Sequence, residues 1–97
     1  MSLKDEVLAI AADVGGRIRE ARQRRRWTVD VLAEKLEVSE RTLRKVEKGD
    51  PSVAFATVLA ACALLDVDFS REVDAHVMNK RVRRPAAPDI APSETDF

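Results

Sequence analysis

Positions 40 to 48 read Glu-Arg-Thr-Leu-Arg-Lys-Val-Glu-Lys, and only Leu43 and Val46 among them are apolar. At helical spacing those two share one face, which leaves Glu40, Arg41, Arg44 and Lys45 directed elsewhere. These residue types have a definite chemistry. An Arg donates two parallel hydrogen bonds to a phosphate or to the O6 and N7 edge of guanine, and a Glu accepts from cytosine N4. Upstream, Arg17, Arg19, Arg22, Arg24, Arg25 and Arg26 crowd into ten positions. Guanidinium at that density is either a polyanion-binding surface or a solvated helix face.

The whole-chain charge hides this clustering. Across 97 residues, 17 Lys and Arg balance 17 Asp and Glu, for a net charge of zero. Residues 1–16 carry one base and three acids (net −2), residues 17–49 eleven and six (net +5), and residues 50–97 five and eight (net −3). Phosphate attraction is screened over about 8 Å in physiological salt, so the basic middle segment acts on its own surroundings.

Several function classes find no support. The single cysteine, Cys62, cannot form an internal disulfide, which fits a reducing compartment, and cytoplasm is the expected location. His76 is the only histidine and has no ligand cluster at metal spacing, so a solvated helix position is expected for it. No nucleophile elbow, glycine-rich phosphate loop or paired-carboxylate motif is present, and no catalytic residue, metal, cofactor or small-molecule substrate is expected. The longest apolar stretch, Val53 to Leu65, has 13 residues, short of the roughly 20 that cross a bilayer. Residues Lys4, Asp5 and Glu6 lead directly into a periodic segment, unlike an export signal.

The elements that must position the charged residues read as helices throughout, so the fold class is all-α. Ser2 to Asp5 fits a capping box, followed by a stripe of Leu3, Val7, Ile10, Val14, Ile18 and Ala21. Gly15-Gly16 interrupts it at roughly 1 kcal/mol per glycine, which predicts a kink or a separate short N-terminal helix, with the helical pair ending near Arg25. Thr28 caps the next helix, with Trp27 and Leu32 placed as a hydrophobic staple and Val29, Leu32, Ala33 and Leu36 on one face. Ser39 repeats the device eleven positions later, leaving only Leu36 to Val38 as the connection.

The third helix ends at Gly49, suited to a left-handed C-terminal position. Phe55, Val58, Leu59, Cys62 and Leu65 are expected to form the buried stripe of the fourth helix, with Cys62 inert in the core. Val67 to Ser70 opens a fifth, with Phe69, Val73 and Val77 as its seam. Three segments result: an N-terminal helical extension over 1–13, the main domain over 14–80, and a basic then Pro-rich acidic tail over 81–97. The tail's low apolar density predicts disorder.

Ile18-Arg19-Glu20-Ala21-Arg22, Thr28, Leu32-Ala33-Glu34-Lys35-Leu36, Val38-Ser39, Leu43 and Val46-Glu47-Lys48-Gly49 together resemble the Xre/Cro-type helix-turn-helix regulators. Gly49 to Ala54 followed by Leu64-Leu65 is similar, on fewer residues, to HipB-like antitoxins that accompany HipA-type kinase toxins. The resemblance implies a lambda-repressor-like, five-helix domain whose third helix reads duplex DNA. It places Glu40, Arg41, Arg44 and Lys45 at base-reading sites and implies that Arg22 pairs with Glu47 as a structural salt bridge.

Phosphate contacts are expected from Thr28, Val29, Ser39, Thr42 and Lys48, through hydroxyls, helix N-terminal amides and charge, and from Arg17 and Arg24 of the basic cluster. The sequence departs from the family pattern at Val29, where Gln is common. Glu37 and Arg26 stand where small turn residues are usual, at a cost of ~1 kcal/mol if left-handed. The expected function is that of a dimeric, sequence-specific repressor, paired through apolar surface at Val73 and Val77. The alternative is an antitoxin that holds a protein toxin through residues 81–97 and autoregulates its operon.

Overall fold

The structure, a computed structural model, describes residues 2–83, and side chains through Met78. It contains five helices and, among the described residues, no strand: α1 (Leu3–Arg24), α2 (Val29–Leu36), α3 (Glu40–Lys48), α4 (Phe55–Leu65) and α5 (Phe69–Arg83). The core is built from Val14, Ile18 and Ala21 of α1, Leu32 and Ala33 of α2, Leu43 and Val46 of α3, and Ala61, Cys62 and Leu65 of α4.

Local chemistry accounts for the starts of α1, α2, α3 and α5. The Ser2 hydroxyl accepts the Asp5 amide at 3.2 Å, Thr28 accepts the Val31 amide at 3.3 Å, and Ser39 accepts the Thr42 amide at 3.0 Å. Each supplies an acceptor to an amide that the helix itself leaves unpaired. At the start of α5, Asp68 accepts from the Arg71 amide at 3.1 Å and from the Ser70 hydroxyl at 2.9 Å. These bonds, the Arg71 amide first, hold the Asp68 carboxyl below its ordinary range.

Helix α1 runs without a break through Gly15-Gly16, so the expected separate N-terminal helix is not what forms. The reason is packing. A Cβ on Gly15 would lie 2.5 Å from the Val46 carbonyl oxygen and 2.6 Å from that of Glu47, so the glycine is where the α1 and α3 backbones touch. Burial of this crossing offsets the helix propensity that glycine forfeits. Gly49, with φ at 77°, closes α3 in the left-handed region against Ala12.

Two other expectations need correction. The buried stripe of α4 is Ala61, Cys62 and Leu65 with Val58 half-buried, whereas Phe55 and Leu59 are exposed. With every residue from Val53 to Leu65 apolar except Thr57, the helix has no polar face to set its phase. His76 is not simply solvated, because its Nε2 lies 2.7 Å from Asp13 Oδ2 on α1. One turn earlier on α5, Glu72 meets Arg17 at 3.3 Å, so α1 and α5 run antiparallel. Helix α5 runs to Arg83, and of the tail expected over 81–97, residues 84–97 lie outside the described residues.

Candidate nucleic-acid interface

The turn between α2 and α3 is built from strain and caps. Glu37 sits in the left-handed region at φ 59°, ψ 41°, and there its amide bonds to the Glu34 carbonyl at 3.1 Å. The Val38 amide turns back to Ala33 at 3.0 Å, satisfying carbonyls that the end of α2 would leave open. Arg26, between α1 and α2, is left-handed as well, at φ 59°. A third such residue, Asp66, ends α4 at φ 57°, and no sequence signal had singled it out.

Helix α3 buries Leu43 and Val46 and turns Glu40, Arg41, Arg44 and Lys48 to solvent, with Thr42 and Lys45 half-buried. Glu40 and Arg44 meet one another at 3.4 Å, so each is partly neutralised by the other. The Arg41 side chain is exposed and makes no ion pair or hydrogen bond to another described residue. Lys45 lies toward Asp50, whose carboxyl is held below its ordinary range mainly by hydrogen bonds from Ser52, with Lys45 adding a smaller electrostatic pull.

Arg22 and Glu47 form a bidentate pair, Nε to Oε2 at 2.7 Å and Nη2 to Oε1 at 3.1 Å. Their side chains retain 10% and 8% of their surface. Arg22 Nη1 also donates to the Trp27 carbonyl at 2.9 Å, so one guanidinium ties α1, the α1–α2 turn and the end of α3 together. Being spent on protein acceptors, it positions α3 and offers nothing to a ligand. Trp27 is half-buried, with Lys35 Nζ 4.7 Å from its ring centroid on one side and the Arg25 guanidinium carbon at 5.6 Å.

The phosphate candidates separate by position. Ser39 accepts from the Thr42 amide and donates to Thr42 Oγ1 at 3.0 Å, which leaves the Thr42 hydroxyl hydrogen free for an outside acceptor. Thr28 and Val29 begin α2, Ser39 precedes Glu40, and both helix starts present unpaired amides that favour an anion. Lys48 is exposed on the last turn of α3, and Arg24 on the last turn of α1 with no partner among the described residues. Arg17 is elsewhere. It lies against α5, held by Glu72 and Glu20 at 3.3 Å each, and is not brought together with the α3 residues. Val73 is half-buried and Val77 exposed on α5.

The helix-turn-helix domain family model matches residues 13–75 of this fold, nearly two thirds of the chain. The chain belongs to that family. Its helix-turn-helix is α2, the Glu37 to Ser39 turn and α3, and its fold is that of DNA-binding regulators. No curated protein and no solved structure matches the chain. Among the described residues of this helix-turn-helix protein, no three His, Cys, Asp or Glu side chains gather as a metal site, and no helix is long and apolar enough to cross a membrane.

Proposed function

We propose that the protein is a sequence-specific repressor that binds a palindromic DNA operator as a dimer, with α3 in the major groove. The observation that carries this reading is the polar face of α3. Arg41 stands exposed and unpartnered on a helix whose buried face is locked to α1 by the Arg22–Glu47 pair. Arg41 is the base reader, donating to guanine O6 and N7. Arg44 and Glu40 act as a unit whose internal pairing must loosen or be kept on the groove floor, and Lys45 and Lys48 add charge beside them. Thr28, Val29, Ser39 and Thr42 fix the register on phosphates. One such helix reads too few base pairs for useful specificity, whereas a two-fold dimer presents two about one DNA turn, ~34 Å, apart.

The test is selection from a random duplex pool at ~150 mM salt, where nonspecific binding is weak. The expected product is a palindrome with half-sites about ten base pairs apart. Arg41→Ala should relax one defined position in each half-site at a cost of ~1–3 kcal/mol. Failure to enrich any motif from a folded sample would overturn the reading. The antitoxin role is the second reading. It draws on the resemblance of Gly49 to Ala54 to HipB-like antitoxins and on the composition of residues 81–97, and it places the chain in the cytoplasm beside a kinase-like toxin. Deleting residues 85–97 distinguishes it, since toxin capture should be lost while operator binding stays.

A further inference from the structure

The apolar stripe of α1 outruns the domain that it serves. Val14 is 1% exposed and Ile18 0%, yet the same stripe continues toward the N-terminus to Val7 at 49% and Leu3 at 74%. These two turns lie before residue 13, where the helix-turn-helix match begins. Beside them is an open groove of about 360 Å³ between α1, the end of α3 with the loop that follows it, α4 and α5, lined by Val7, Ile10, Val14, Val58 and Val73 among others. Phe55 stands on its rim at 60% exposure, packed edge-on against Phe69 at 5.4 Å, and Val77 continues the α5 wall at 39%. Among the described residues nothing covers this face. Periodic apolar side chains that remain in water after folding mark a surface made for a partner.

We propose that this groove and its rim are the face through which two copies of the chain pair. The inference rests on the dimeric reading above and gives that dimer its surface. Two observations select a second copy as the occupant. The first is area. A standard interface takes about 800 Å² from each partner, some 500 Å² of it apolar, and four large side chains at these exposures with the groove between them supply roughly that amount. A small molecule inside the groove would leave Leu3, a full turn beyond Val7, still in water. The second is shape. A two-fold contact uses one patch twice, so that patch must carry both projection and recess. Here Phe55 projects from the wall of the recess, and Leu3 extends the α1 stripe one turn beyond Val7, which lines it. Val73 then belongs to the lining and Val77 to the rim, and α1 joins α5 in the contact.

The experiment is sedimentation velocity across a concentration series on the full chain and on Leu3→Asp, Val7→Asp, Phe55→Asp and Leu64→Asp. Leu64 is 40% exposed and lies nine residues past Phe55, on the opposite flank of α4. The wild type should dimerise. The first three variants should weaken the dimer at least ~tenfold while circular dichroism shows unchanged helix content, and Leu64→Asp should behave as wild type. If Val7→Asp loses helix, Leu3→Asp, the most exposed of the set, decides.

A wild-type dimer indifferent to Leu3, Val7 and Phe55 substitution, or one broken equally by Leu64→Asp, overturns the proposed face while leaving the palindromic reading intact. A wild-type monomer overturns the face as well. If that monomer also selects no palindrome, the dimeric repressor reading falls with it. A monomer carrying an apolar small molecule in native mass spectra overturns the face in favour of a ligand site.

Discussion

Gly15 and Gly16 are adjacent on α1, and replacing each with Ala should change stability in opposite directions. A Cβ on Gly16 meets nothing within 4 Å, so Gly16→Ala collects only the helix-propensity gain of ~1 kcal/mol. A Cβ on Gly15 falls 2.5 Å from the Val46 oxygen, 2.6 Å from the Glu47 oxygen and 2.9 Å from the Glu47 carbonyl carbon, all of them backbone atoms. Ordinary contact starts near 3.4 Å, so α3 would have to recede by about 0.9 Å. Overpacking of that kind costs ~1–3 kcal/mol, and the displacement occurs at Glu47, whose bond to Arg22 is 2.7 Å long. After subtraction of the helix gain, Gly15→Ala should lose up to ~2 kcal/mol, placing the neighbours ~1–3 kcal/mol apart. At ~4–8 °C per kcal/mol for a domain of this size, thermal melts followed by circular dichroism should differ by about 4 °C or more. If Gly15→Ala melts at or above wild type, the close crossing of α1 and α3 is wrong, and with it the account of why α1 stays unbroken.

Removing one partner of the buried pair, Glu47→Ala, should cost ~3–5 kcal/mol in urea unfolding, while Arg22→Met with Glu47→Leu should recover most of it; equal damage by the single and double variants would refute the pairing argument. Glu37→Gly should stabilise by up to ~1 kcal/mol, because glycine holds φ 59° without a Cβ conflict, and an unchanged urea midpoint would count against strain at that turn. The Asp68 carboxyl is held below its ordinary 3.8, so its ionised form contributes stability that is fully present above that pH and is lost as pH falls through the folded value. Asp68→Asn should therefore flatten the acid limb of the stability profile below about pH 4, measured by thermal melts across pH, and a limb as steep as wild type would show the α5 cap to be unimportant.

What was legible in the sequence was local. Thr28, Ser39 and Gly49 announce helix ends through bonds made within four residues, so their type and position suffice. Leu43 and Val46 stand out because the residues around them are polar, and the same contrast isolates Arg41. Where contrast is missing, inference stops. The stretch Val53 to Leu65, which contains α4, is apolar at every position but Thr57, and which of its residues face inward, Ala61, Cys62 and Leu65, is decided by the helices packed against it. The Asp13–His76 contact spans 63 residues and depends on the antiparallel pairing of α1 with α5, which no local pattern encodes. Gly15 misleads for the same reason, since its cost is local and its compensation lies on another helix.

Trp27 is the chain's only tryptophan, and it stands at the elbow from which α2 departs. Its indole face is shared between Lys35 and Arg25, while its carbonyl is held by the guanidinium that anchors α3. The ring thus registers two events in one optical signal. Loosening of the α1–α3 anchor lets water reach it, and any movement of Lys35 off the ring strips away a nearby cation. The protein carries its own label at the α1–α2 turn, so folding and a DNA titration can both be followed by intrinsic emission without a dye.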